Sequence, residues 1–192
     1  VYFLQCMLNQ INGTIEGATV AVSGSGNVAT YAVEKCNHLG AKVITMSDSS
    51  GFIHDPDGID AEKLAWIMEL KNVRRGRISE YVEQFPGATF HEGRPWGVPC
   101  DYAIPCATQN EIGEDEARLL VKNGCKGISE GANMPTVVAG INVFQEAGLL
   151  YGPSKAANAG GVAVSGMEMS QNSVRISWNE EELQKLLLET MQ

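Results

Sequence analysis

ATVAVSGSGNVA, residues 18–29, is the stretch on which the fold turns. An apolar run, Val20-Ala21-Val22, empties into Gly24-Ser25-Gly26-Asn27-Val28-Ala29, and an amphipathic segment follows. Two glycines where a strand hands over to a helix have separate physical uses. Gly24 can take a backbone conformation closed to residues with a Cβ, which makes the turn tight. Gly26 leaves no side chain between the backbone and a pyrophosphate, which then sits on the free N–H groups and positive dipole end of the helix. Ala29, where a third glycine often stands, is small enough for close packing of helix on strand. The pattern is the G-x-G-x-x-A form of the dinucleotide fingerprint. By itself it is a weak signal, because a glycine turn that binds nothing has the same spelling.

The context supplies what the motif lacks. Thr19 to Ser23 reads as a short strand buried on both faces. From Asn27 to Leu39, apolar or small residues recur at 29, 32, 33 and 36, one face of a helix, and Gly40 closes it. Lys42 to Met46 is a second strand, and an acid, Asp48, stands just past its end, where it could meet an adenosine ribose. Strand, crossover helix and strand make a βαβ unit with a parallel pair.

Beyond it, SDSSGFIHDPDG reads as a loop, and a long helical stretch runs from Ala61 to about Phe85, interrupted at Gly76. Asp101 to Pro105 and Lys126 to Ser129 read as strands, separated by a helix over residues 115–123. Thr136 is placed to cap a helix reaching Ala147, and Leu149 to Tyr151 forms a last strand before the terminal helices. Strands alternating with helices, each strand ending in a polar Gly- or Asn-bearing loop, predict a doubly wound α/β fold with a mainly parallel sheet, a Rossmann-like dinucleotide-binding domain over residues 1–192.

Composition narrows the function. Of the 192 residues 44% are hydrophobic, enough for a substantial core. A net charge of -9 argues against nucleic acid, which selects basic surfaces. No apolar run approaches the length of a membrane span, and VYFLQCMLNQ has neither the basic start nor the cleavage site of a signal peptide. Five scattered cysteines (6, 36, 100, 106 and 125), without zinc-ligand spacing, read as reduced and mostly buried thiols of a cytoplasmic protein. The helical stripes of Tyr2, Leu4, Met7, Leu8 and Ile11, uncapped, and of Leu183, Leu186, Leu187 and Met191, stopping at Gln192, point to a piece of a longer chain.

Later segments carry more specific information. PCATQNE (105–111), EGANMP (130–135) and KAANAGGVAVSGMEMSQN (155–172), together with VSGSGNVATYAVEK and SDSSG, resemble the coenzyme-binding domain of the glutamate dehydrogenase family, in its hexameric branch. The resemblance covers nearly the whole chain, with five motifs in order. It implies that Gly24, Ser25, Gly26, Asn27 and Val28 hold the pyrophosphate, and that Ser47 and Asp48 meet the adenosine ribose or its phosphate. It implies further that Ala107, Thr108 and Gln109 line the nicotinamide ribose, while Asn133 and Asn158 reach the nicotinamide end. Val162 and Ser165 resemble residues that close over the substrate's side chain and far carboxylate. Read without the family, Asn133 and Asn158 could be turn or capping residues and Ser165 a surface serine. The family's catalytic lysine and aspartate belong to an N-terminal substrate domain whose motifs are not found in this sequence, so no catalytic residue is assigned. The implied protein is a homo-hexameric, NAD(P)-dependent enzyme of amino-acid metabolism acting on L-glutamate and 2-oxoglutarate.

The cofactor reading stays open at one point. Asp48 would repel the extra phosphate of NADP and so favours NAD. SDSSG resembles the form in NADP-using members, and Lys71, Arg74, Arg75 and Arg77 are cations within reach of that phosphate, or else a solvated basic face. Lys71 is the candidate phosphate ligand, with NADP favoured and NAD the alternative. A dehydrogenase for leucine, valine or phenylalanine, and a dinucleotide-sensing module without catalysis, are the rival functions.

Overall fold

Sheet order is what places the site. A computed structural model describes residues 1–191; Gln192, where the last apolar stripe stops, lies outside them. β1 (Thr19–Val22) lies at the centre. β2 (Lys42–Asp48), β3 (Gly51–His54) and β4 (Thr89–His91) extend the sheet on one side, and β5 (Tyr102–Ile104), β6 (Gly127–Ser129) and β7 (Leu150–Gly152) on the other, in the order 4-3-2-1-5-6-7. β2, β1, β5, β6 and β7 are all parallel, whereas β3 is reversed and pairs antiparallel with both β2 and β4. The sheet is therefore mainly parallel, as the alternating pattern predicts.

The chain winds outward from β1 in one direction and returns to start in the other. Connections leave in opposite senses at the carboxyl ends of β1 and β5, and a crevice opens there. Helices flank both faces: α1 (Tyr2–Gln10), α2 (Asn27–His38), α3 (Ala61–Glu69), α4 (Tyr81–Gln84), α5 (Glu114–Lys122), α6 (Val138–Glu146) and α7 (Ser154–Ala157); α8 (Ala159–Val174) and α9 (Glu180–Thr190) follow, packed on each other and burying none of their residues. The two faces make two cores. One joins Val20, Val22 and Val43 to Leu4, Leu8, Val33 and Ile67; the other joins Ala21, Ile44 and Ala103 to Trp96, Leu120 and Phe144. Alternate residues of β1 thus go to opposite cores, which is why that strand reads as a continuous apolar run.

Three local readings change. The segment SDSSGFIHDPDG, whose composition predicts a loop, contains β3, which turns back on β2 through Ser49 and Ser50 and pairs in turn with β4. Gly51 enters β3 at φ 149°, and a Cβ there would run into the His91 carbonyl. The long helix is broken: α3 passes into a π-helical turn (Leu70–Arg74), Arg75 turns left-handed, and a 3-10 turn (Ile78–Glu80) leads into α4. Thr136 does not cap α6. It pairs with Ile112 in an isolated parallel bridge, and Val137 takes the N-cap position with no side-chain bond.

All five cysteines are free, and all but Cys6 are buried. Beside the first core, Asp55 is 1% exposed and is met by Lys63 Nζ at 2.8 Å and the Tyr81 hydroxyl at 2.7 Å. A buried carboxylate with those partners fixes the β3-to-α3 connection at its base.

Candidate functional site

The turn after β1 has the geometry that its glycines predict. Gly24 stands at φ 84°, and a Cβ there would lie 3.0 Å from the Cys106 carbonyl oxygen and 3.2 Å from Ala107 Cα. The β1 turn and the loop after β5 therefore touch backbone to backbone. Ser47 holds the same turn from the other side: its Oγ accepts from Gly24 N at 2.7 Å, and its N–H donates to the Gly24 carbonyl at 3.1 Å. Ser23 Oγ accepts from Cys106 N at 2.9 Å. The ends of three parallel strands, β2, β1 and β5, are stitched together at two adjacent residues, Ser23 and Gly24, just past β1.

Gly26 is the N-cap of α2, in ordinary extended conformation, with no side chain capping the first turn. A Cβ on Gly26 would meet nothing within 4 Å. The uncapped N–H groups of α2 thus open on a cleft of about 700 Å³, lined by Gly24, Ser25, Gly26, Asn27, Val28, Ser47 and Asp48, and across from them by Ala107, Thr108 and Glu111. Donors converging at the positive end of a 12-residue helix form a site for a phosphate anion. That is the fit expected of a dinucleotide's pyrophosphate.

At the adenosine end, Asp48 has an environment that its sequence position does not reveal. Its side chain is 8% exposed, and both oxygens are occupied. Oδ1 accepts from Ser50 N at 2.8 Å and Ser50 Oγ at 2.6 Å; Oδ2 accepts from Lys71 Nζ at 2.8 Å and Ile78 N at 2.9 Å. Burial would raise the carboxyl's pKa, but the bonds from Lys71, Ser50 and Ile78 outweigh it and bring it down to about 2. A carboxylate has about four lone-pair positions, so a ribose hydroxyl would have to displace one of these donors. Asp48 also organises the β2–β3 turn, and Lys71 pairs with it. Lys71 Nζ also donates to the Gly76 carbonyl at 3.0 Å. The exposed cation nearest the turn's serines is Arg77, which donates to Ser49 Oγ at 2.7 Å.

Opposite the helix terminus, Ala107 and Thr108 follow β5. Their N–H groups donate to Glu111 Oε1 at 3.0 and 3.3 Å. Glu111 is 2% exposed; burial raises its pKa, against the donors Ser23, Ala107 and Thr108. Glu111 is a site residue that reading by motif passed over, although it ends PCATQNE. Gln109 is exposed and lines neither this cleft nor its neighbour.

A second cavity, about 980 Å³, shares Asn27, Val28 and Cys106 with the first and continues past β6. Glu130, Gly131 and Asn158 line it. Asn158 Nδ2 donates to Asn133 Oδ1 at 2.7 Å, so the two amides expected at the nicotinamide end do meet. Val162 and Ser165 lie on α8, which buries none of its side chains; Val162 is 79% exposed, and Ser165 Oγ donates to the Gly161 carbonyl at 3.2 Å. Among the described residues, no group of three or more His, Cys, Asp or Glu is arranged to hold a metal ion, and no helix is long and apolar enough to cross a membrane.

Comparison with known proteins agrees with this geometry. A relative from Xylanibacter ruminicola, an NAD(P)-specific glutamate dehydrogenase, is 62% identical over 183 residues, which are 95% of this chain and 41% of the relative. The NADP-specific glutamate dehydrogenase of Haemophilus influenzae is 53% identical over 184 residues, again 95% of this chain and 41% of its own length. The crystal structure of Plasmodium falciparum glutamate dehydrogenase superposes with a TM-score of 0.95 at 49% identity, over 99% of this chain and 41% of that one. The chain thus spans about two fifths of the length of these relatives. The family model described as glutamate/leucine/phenylalanine/valine dehydrogenase matches residues 1–192, and the chain belongs to that family.

Proposed function

We propose that this chain is the coenzyme-binding domain of an NAD(P)-dependent glutamate dehydrogenase, which interconverts L-glutamate with 2-oxoglutarate and ammonia. The observation that carries the reading is the open face of Gly26. An uncapped helix terminus looks into a cleft at the switch point of the sheet, with no side chain in the anion's place. When bound, the dinucleotide supplies hydride chemistry. The residues of this chain bind and orient it: the 24–28 turn at the pyrophosphate, the Ala107–Thr108 loop at the nicotinamide ribose, with Gln109 beside it, and Asn133 and Asn158 at the nicotinamide end. Val162 and Ser165, on the exposed face of α8, are our candidates for contact with the substrate. A lysine and a carboxylate elsewhere in the full-length protein would hold the 2-oxo acid and move its protons, and the whole would assemble as a homo-hexamer of the cytoplasm.

We favour NADP. Asp48 is already paired with Lys71 and saturated with donors, so it presents little net charge to a 2′-phosphate, and Ser49, Ser50 and Arg77 stand beside it. Lys71 would then support NADP use by neutralising the acid. The test is kcat/KM for both cofactors in the full-length enzyme and in Lys71→Ala. Unmasking the carboxylate beside a dianion is worth about 1 kcal/mol after salt screening, so NADP should lose about fivefold more than NAD. Preference of the wild type for NAD by more than about tenfold, with no change for NADP in the variant, would sink the NADP reading. Glutamate turnover by residues 1–192 alone would show that the chemistry does not need the rest of the protein.

A further inference from the structure

Glu130 starts the EGANMP segment at the end of β6, and its carboxylate is turned inward. It is 2% exposed, and each oxygen has a donor: Oε1 accepts from the Tyr151 hydroxyl and Oε2 from Ser154 N, both at 2.8 Å. Its own N–H donates to the Gly152 carbonyl at 3.0 Å. One buried charge therefore ties the end of β6 to β7 and to the first residue of α7.

Two chains of bonds lead from that anchor to Asn133 and to Asn158, of which Asn158 lines the second cavity. Through Ser154, whose Oγ accepts from Met134 N at 3.2 Å, it fixes the turn that carries Asn133. Met134 sits there at φ 48°, a left-handed conformation that a side chain bearing a Cβ adopts only when its surroundings hold it. Through α7, where Asn158 N donates to the Ser154 carbonyl at 3.0 Å, it fixes the residue that ends the helix. The two paths close on each other in the Asn158–Asn133 bond. Neither amide touches Glu130, yet both are linked to it through Ser154.

We propose that Glu130 is a positioning residue that presents the Asn133–Asn158 amide pair to the nicotinamide end of the cofactor. The inference rests on the dinucleotide reading above, and its test keeps the two apart. In the full-length protein, binding of NADPH and NADH is followed by nicotinamide fluorescence. Binding of ADP-ribose and its 2′-phosphate, which lack only the nicotinamide, is followed by calorimetry. Glu130→Ala leaves the buried Ser154 N–H and the half-buried Tyr151 hydroxyl unpaired and should weaken both dinucleotides about tenfold, with the nicotinamide-free ligands within about twofold of wild type. Glu130→Gln can still accept from Ser154 N and donate to the Tyr151 oxygen, so it should recover most of the loss, to about threefold. Where Glu130→Ala does not fold, Tyr151→Phe carries the test, with about threefold expected on the dinucleotides alone. Equal losses on all ligands would make Glu130 a general structural residue, and no loss would remove it from the site; either overturns the proposal. Wild-type protein that binds none of the four ligands would overturn the dinucleotide reading itself.

Discussion

Gly24 and Gly26 stand two residues apart in one motif, and the structure gives them opposite kinds of work. At Gly24, φ is 84°, and the space for a Cβ is closed by backbone: the Cys106 carbonyl oxygen at 3.0 Å, with the Cys106 carbonyl carbon and Ala107 Cα at 3.2 Å. None of these atoms can rotate away. Gly24→Ala should cost about 1–2 kcal/mol for the left-handed backbone and about 1–3 kcal/mol for forcing the β5 loop outward. The expected total of about 2–5 kcal/mol is a large share of a domain's stability. At Gly26, φ is -85° and ψ is -173°, and the Cβ position is open to 4 Å. Gly26→Val should cost no more than about 1 kcal/mol, the scale of an unfavourable N-cap. Its isopropyl group would occupy the cleft, however, and remove at least one charge-assisted hydrogen bond, worth about 1.5–3 kcal/mol, or about ten- to hundredfold in affinity. Urea unfolding of each variant and NADPH titration of Gly26→Val separate the two. A Gly26→Val protein of wild-type affinity would falsify the assignment of the helix terminus to the pyrophosphate. A Gly24→Ala protein as stable as the wild type would refute the close approach of the two loops.

Two further perturbations follow from the buried carboxylates. Asp48 takes its proton near pH 2 in the folded chain, against an ordinary 3.8, so the unfolded chain protonates first as acid is added. Its contribution, discounted for solvent screening to about 1 kcal/mol, is complete at neutral pH and drains away as the pH falls from about 4 through about 2. Lys71→Ala should remove part of it and move the acid-unfolding midpoint, followed by circular dichroism, to higher pH; an unmoved midpoint would count against the pairing. Tyr81→Phe removes a fully buried donor to Asp55 and should cost about 1.5–3 kcal/mol in urea, because Asp55 keeps Lys63 but loses a bond to its charge. A loss under about 0.5 kcal/mol would mean that the hydroxyl is not needed there.

The parts of the fold that could be read in the sequence are those written in burial. β1 sends alternate residues to two cores, so it has to be apolar throughout, and glycines mark its end. β3 and β4 have only four and three residues, β3 follows a turn of two serines and β4 is largely exposed, and nothing in such short segments separates them from a loop. Their signal lies in Gly51, whose place is dictated by the neighbouring strand and not by its own turn alone. The long helix fails as a reading for a similar reason. Its apolar stripe persists through Ile78 and Tyr81, but the backbone unwinds between them and α3 so that Ile78 N can reach Asp48.

Charge partners are the least legible feature, because sequence period reports which face of an element is dry and not which donor will meet a carboxylate. Asp48 and Lys71 are separated by 23 residues, so the acid reads as a ribose ligand and the lysine as a phosphate ligand, and the bond between them cannot be read from the sequence. Glu111 and Glu130 sit inside recognisable motifs and still show nothing of their burial. Each occupies the mouth of a parallel strand, where backbone N–H groups from the next loop arrive with no strand left to accept them. A carboxylate there accepts two donors at once: the Ala107 and Thr108 N–H groups in one case, the Ser154 N–H and the Tyr151 side-chain hydroxyl in the other. The same physics that makes the carboxyl ends of parallel strands a place to bind a ligand makes them a place that needs buried acceptors, and the loops that hold the ligand take their shape from those acids.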